Sequence, residues 1–163
     1  MATLGNNLSE FNPADFPNTA DFKFGIVKAQ WNPEITDSLY NGALETLMAT
    51  GCKKENITSL EVPGTFELVY AAKLLCQQKN LDAVMVIGNV IQGETKHFDY
   101  VCEAVSQGTK DLNVLFDTPV IFCVLTDNTM EQSRARSGGV HGNKGIECAC
   151  AAINMAVIKR QYL

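Results

Sequence analysis

The sequence predicts an α/β fold, a three-layer sandwich around a central four-stranded parallel sheet. Two observations carry that prediction. Short apolar runs alternate along the chain with amphipathic segments of helical length, the order expected of consecutive βαβ units. The runs are also apolar almost throughout, rather than at every second residue, as strands covered on both faces should be.

The elements follow in order. Residues 1–21 (MATLGNNLSEFNPADFPNTAD) are polar, carry Pro13 and Pro17, and make a poor core element. They read as an N-terminal arm, either disordered or adding a strand to a neighbouring subunit. Residues 22–163 form the single domain. FKFGIVKAQ (22–30) is the first strand. PEITDSLYNGALETLMAT (33–50) is a helix with Ile35, Leu39, Ala43 and Leu47 on one face and Gly51 as its C-terminal cap. NITSLEV (56–62) is a strand, TFELVYAAKLLCQQKN (65–80) a helix, and LDAVMVIGNVI (81–91) a third, almost continuously apolar strand.

HFDYVCEAVSQGTKDL (97–112) is the next helix, with Phe98, Val101, Cys102 and Val105 at i, i+3, i+4 and i+7. TPVIFCVLT (118–126) is the fourth strand, MEQSRA begins a short helix, and NKGIECACAAINMAVIKR (143–160) is a long terminal one. Right-handed crossovers between parallel strands then give a sandwich of flavodoxin-like type.

Composition narrows the function. A chain of 163 residues can bury a full core without disulfide or metal staples. Its formal net charge of -5 provides no electrostatic basis for binding nucleic acid or an anionic membrane. The six cysteines, at 52, 76, 102, 123, 148 and 150, form no CxxC and lie in or beside apolar runs, as reduced core thiols do. Cys148 and Cys150 are two apart on a helix and share no face, so no metal site is expected there. The absence of a signal-type segment and of a long apolar span points to a cytoplasmic protein.

Open parallel sheets bind ligands beyond the carboxyl ends of their strands. That rule selects AQWN (29–32), VPGTFE (62–67) and GNVIQGETKH (88–97). Trp31, the single tryptophan, is either an aromatic at the core edge or a stacking platform for a heteroaromatic ring. Glu67 begins a helix, where the dipole favours a carboxylate. Gly93, Glu94 and Thr95 precede a helix, so free backbone N–H groups and a hydroxyl converge at its positive end, an arrangement that suits an anion.

His97 falls in the first turn beside that position. It is either a solvated side chain or a neutral imidazole placed to shuttle protons. Arg136 precedes Gly138 and Gly139, and a guanidinium can hold phosphate through two parallel hydrogen bonds. His141 lies in a Gly-rich loop with no acidic or cysteine ligand at metal spacing.

The runs GIVKAQWN, VPGTFEL, GNVIQGETKHFDYVC, TPVIFCVLT, TMEQ and GNKG together resemble the 6,7-dimethyl-8-ribityllumazine synthase family in order and spacing, from about Phe22 to Arg160. The resemblance implies a transferase of riboflavin biosynthesis. It would condense 5-amino-6-(D-ribitylamino)uracil with 3,4-dihydroxy-2-butanone 4-phosphate and release phosphate and water, with no cofactor and no metal.

On that resemblance Trp31, with Asn32 beside it, stacks on the pyrimidine ring. Thr65, Phe66 and Glu67 contact the ribityl chain, while Asn89, Val90 and Ile91 hold the pyrimidinedione edge. Glu94 and Thr95 line the phosphate site, and His97 transfers protons. Phe122 and Arg136 come from an adjacent subunit, Arg136 gripping the phosphate. Self-association into pentamers is implied, with an icosahedral shell as the larger form and riboflavin synthase as a partner. The loop RSGGVHGNKG carries no insertion, which favours the shell.

Two positions depart from the family pattern. Val140 and His141 stand where many relatives have Lys-Ala, and Lys96 precedes the histidine where many have threonine or proline. Lys96 is expected to supply part of the missing positive charge. The competing reading is a non-catalytic flavin- or pteridine-binding module, or a shell protein, of the same fold; it would not require His97 and Arg136 together.

Overall fold

The computed structural model describes residues 7–77 and 80–163. Its central sheet has the order β2-β1-β3-β4, all parallel, built from β1 (Phe24–Ala29), β2 (Ile57–Val62), β3 (Ala83–Ile91) and β4 (Val120–Asp127). Helices α1 (Pro33–Ala49) and α5 (Lys144–Tyr162) cover one face; α2 (Leu68–Cys76) and α3 (His97–Leu115) cover the other. The short α4 (Met130–Arg136) and a two-stranded ribbon, β5 (Ser137–Gly139) with β6 (Gly142–Asn143), connect β4 to α5.

The pleat divides the core in two. Ile26, Met85, Ile87 and Cys123 point toward α1 and α5, where Ile35, Leu39, Leu47 and Ile153 meet them. Val27, Val84, Val86 and Val124 point the other way, against Leu68, Leu75 and Val105. Because β1 and β3 are buried on both faces, their sequences carry no polar alternation. β2 is an edge strand, and Thr58, Ser59 and Glu61 are exposed along it. Its mixed composition reflects that position.

Element boundaries differ from the sequence reading where local chemistry intervenes. α2 begins at Leu68 rather than residue 65, because Pro63-Gly64 starts a turn that the Leu68 N–H closes onto the Thr65 carbonyl. Its expected end lies partly outside the described residues, at positions 78 and 79. β4 runs through Asp127, and α3 continues to Leu115. Gly51 takes φ +100 after α1, the left-handed cap its position predicted. The β5/β6 ribbon has too few apolar residues to register as a strand signal.

The described part of the N-terminal arm is held on its own chain by polar contacts. The Leu8 N–H donates to the His141 carbonyl at 2.8 Å, and the Asn143 N–H donates to Ser9 Oγ at 2.9 Å. Fully buried Thr19 bonds Thr50. Where the arm enters the domain, Arg160 clasps Asp82 with two hydrogen bonds and also reaches Asp21, its guanidinium 3.8 Å from the centre of the Phe22 ring. The Arg160 hydrogen bond holds the exposed Asp21 carboxyl below its ordinary value. Residues 1–6, which belong to the same expected arm, lie outside the described residues.

All six cysteines are free. Burial pushes the Cys52 and Cys76 thiols up to about 11, so they behave as small apolar groups. Among the described residues, no helix is long and apolar enough to cross a membrane.

Candidate active site

The carboxyl ends of β1 and β3 and the start of α3 enclose a cavity of about 700 Å³. Three segments separated by about thirty residues each converge there because the parallel sheet stacks its strand ends on one edge. Trp31 and Phe66 form aromatic walls, 71% and 59% exposed. Thr65 and Glu67 enter from the turn before α2; Asn89, Val90 and Ile91 enter from the end of β3. Gly93, Thr95 and His97 close the far side.

Two strand-end features fix this geometry. Asn32 adopts a left-handed backbone (φ 56), the one non-glycine among the described residues with positive φ. Asparagine tolerates that region, and Pro33 then opens α1 directly behind it. Thr65 is buried, and its hydroxyl donates to the Asn89 carbonyl at 3.3 Å, tying the α2 turn to the end of β3.

His97 is the first residue of α3 and is exposed to the cavity. No side chain caps this helix; the Thr95 hydroxyl accepts from the His97 backbone N–H at 3.4 Å. An uncapped helix start with glycine before it leaves room and backbone donors for an anionic group. Glu94 and Lys96 are exposed beside it but do not line the cavity.

Two expected site residues lie away from this cavity. Phe122 is in the middle of β4, half-buried against the α2/α3 side of the core. Arg136 ends α4, where Nη1 donates to the Gln132 carbonyl at 2.9 Å and lies 3.9 Å from Asp127 Oδ1. One chain alone therefore brings together ten expected residues: Trp31, Asn32, Thr65, Phe66, Glu67, Asn89, Val90, Ile91, Thr95 and His97.

The cavity also contains residues the sequence reading assigned only to a helix face. Phe98 and Val101 line it. Val101 is one turn after His97, and that i, i+4 spacing was the available signal. Behind the visible wall stands a buried polar chain that no sequence motif announced. Asn32 Nδ2 donates to Asn89 Oδ1 at 2.8 Å, and Asn89 Nδ2 donates to Ser133 Oγ at 2.9 Å. Ser133 Oγ then donates to Asp127 Oδ2 at 2.8 Å. A bidentate pair, Arg134 to Glu34 at 2.8 and 3.0 Å, ties α4 to the start of α1 and keeps the two ends of this chain in place.

The chain is similar to known proteins along nearly its whole length. The family model described as 6,7-dimethyl-8-ribityllumazine synthase matches residues 21–160. A protein named 6,7-dimethyl-8-ribityllumazine synthase from Christiangramia forsetii is 59% identical, covering 98% of this chain and 96% of its own. Proteins of the same name from Flavobacterium johnsoniae and Flavobacterium psychrophilum are 61% and 53% identical. Each alignment covers 99% of this chain and 85% of the relative.

Proposed function

The chain belongs to the 6,7-dimethyl-8-ribityllumazine synthase family, and from that premise we propose how its residues carry the reaction. The enzyme is a transferase of riboflavin biosynthesis. It condenses 5-amino-6-(D-ribitylamino)uracil with 3,4-dihydroxy-2-butanone 4-phosphate to 6,7-dimethyl-8-ribityllumazine. The observation that carries the site assignment is the convergence of Trp31, Thr65–Glu67, Asn89–Ile91, Thr95 and His97 on one cavity.

Trp31 stacks on the pyrimidine ring, and its exposed indole face is the flat surface such a ring needs. Asn32, Val90 and Ile91 hold the pyrimidinedione edge, with Asn89 set behind Asn32, while Thr65, Phe66 and Glu67 take the ribityl chain. Thr95 and the free start of α3 receive the phosphate of the second substrate, with Glu94 exposed beside that site and outside the cavity lining. The 5-amino group attacks the ketone and loses water to give an imine. Phosphate then leaves, the enol rearranges, and the ribityl-bearing nitrogen closes the ring with loss of a second water. His97 takes and returns the protons of these steps.

Positioning dominates the chemistry, since orienting two reactants can contribute ~7–11 kcal/mol. Incubating the protein with both substrates and following product absorbance tests the assignment; no lumazine formed would overturn it.

Phe122 and Arg136 act on the cavity of an adjacent copy. The exposure of the Trp31 and Phe66 walls of this chain's own cavity supports that reading, as does the apolar surface along α2 and α3. There Tyr70, Tyr100, Val114 and Leu115 are each at least 66% exposed. Apolar surface of that kind favours association. The assembly is a ring of five, with an icosahedral shell as the larger form and riboflavin synthase as a partner. Light scattering on the purified chain distinguishes a ring from a shell, and a monomer would refute the shared site. Six unpaired thiols fit a cytoplasmic setting.

Lys96 supplies phosphate-attracting charge in place of the cation that Val140 does not provide. It stands at the N-cap of α3, exposed and free to swing toward the anion. Lys96→Ala should raise KM for the butanone phosphate by about two- to fivefold, the scale of one exposed charge near a helix end. An unchanged KM refutes the role.

A further inference from the structure

We propose that Ser133 and Asp127 are positioning residues that set the hydrogen-bonding polarity of Asn32, so that it presents a carbonyl oxygen to an N–H group of the uracil substrate. This rests on the reading of the cavity as the uracil site. The observation is the buried chain Asn32–Asn89–Ser133–Asp127, in which Asn89, Ser133 and Asp127 are 1%, 0% and 8% exposed.

The direction of such a chain follows from its last member. A carboxylate only accepts hydrogen bonds, whereas a hydroxyl can do either and an amide's two ends are told apart only by their partners. Asp127 therefore commits the Ser133 proton. Ser133 is left as an acceptor and takes the Asn89 amide N–H. That turns Asn89 Oδ1 toward Asn32, which spends its Nδ2 hydrogen bond there. Asn32 Oδ1 receives no hydrogen bond from the described residues and belongs to a side chain lining the cavity.

Asn89 acts through Asn32 rather than by its own amide, since both ends of that amide are already engaged at 1% exposure. The site so built selects a ligand with a donor, a ring N–H or an amine, at this edge. It disfavours one that offers an acceptor or a methyl group.

Asp127 Oδ1 also faces Arg136 at 3.9 Å, so the two positions separate cleanly by substitution. Ser133→Ala cuts the chain and leaves the Asp127–Arg136 contact intact. Asp127→Asn can donate to Ser133 and reverse every step, which turns the NH₂ of Asn32 to the ligand. Ser133→Thr keeps the hydroxyl.

The experiment is titration of 5-amino-6-(D-ribitylamino)uracil, without the second substrate, into intact wild type and the three variants. Fluorescence of Trp31, the single tryptophan, follows binding. Ser133→Ala and Asp127→Asn should each weaken binding by about tenfold, the typical consequence of a misdirected buried hydrogen bond, and Ser133→Thr should bind as wild type does. The preference for the substrate over its ring-N-methylated analogue should shrink in Asp127→Asn. That ratio is read within one sample and does not depend on the folded fraction.

In steady-state turnover, Ser133→Ala should raise KM for the uracil and leave KM for the butanone phosphate unchanged. Wild-type affinity in both Ser133→Ala and Asp127→Asn overturns the proposal, as do an unchanged ligand preference in Asp127→Asn or equal rises in both KM values. Wild-type protein that fails to bind the uracil overturns the site assignment instead.

Discussion

His97→Ala lowers kcat by about 10²–10⁴-fold, the usual contribution of one placed general acid–base group, without abolishing turnover. The imidazole stands at the first residue of α3, exposed to the cavity and beside the uncapped helix start. Both proton-dependent stages, imine formation and ring closure, take place within that cavity. The residual rate comes from the walls, which still hold the two reactants together when the imidazole is gone. Rapid-mixing or steady-state assays read kcat. Wild-type turnover in the variant would refute the proton-transfer role.

Gly145→Ala destabilises the fold by about 3 kcal/mol, at the upper end of the overpacking range, because the obstruction is backbone. A Cβ on Gly145 would lie 1.9 Å from the Leu39 carbonyl oxygen and 2.8 Å from its carbon. Neither atom can rotate aside, so α1 and α5 must separate. The layer they share contains Leu39, Ala43, Leu47, Ala149, Ala152 and Ile153, all fully buried, and any separation opens it. For a chain of this size the melting temperature should fall by roughly 6–12 °C. Gly93→Ala is the comparison, since its Cβ would meet nothing within 4 Å, and it should melt close to wild type. Equal melting temperatures for Gly145→Ala and wild type would show that the helices can give way.

These two residues illustrate what can be read from residue order alone. His97 was legible as a candidate because a strand, a glycine-bearing loop and a helix start are local patterns of a few residues. Gly145 appears within GNKG as one glycine among twelve; its need for close approach arises from Leu39, more than a hundred positions earlier. Trp31, Thr65–Glu67 and Asn89–Ile91 were recoverable together because strand ends in a parallel sheet share an edge, a rule of topology that needs no coordinates. Ser133 and Asp127 were not recoverable. Serine on a short helix and aspartate at a strand end are unremarkable locally, and only their burial behind Asn89 gives them a partner.

By itself the sequence determined the layer architecture, the parallel sheet and the edge on which the cavity opens. Burial on both faces of β1 and β3 writes itself into apolar runs, and crossover handedness does the rest. The family resemblance added the reaction and the candidate residues. Tertiary structure alone decided that Glu94 and Lys96 stay outside the cavity lining, that Phe98 and Val101 join it, and which way the amides behind it point. Asn32 meets Asn89, and Asn89 meets Ser133, across more than forty residues in each case, and periodicity carries no record of that.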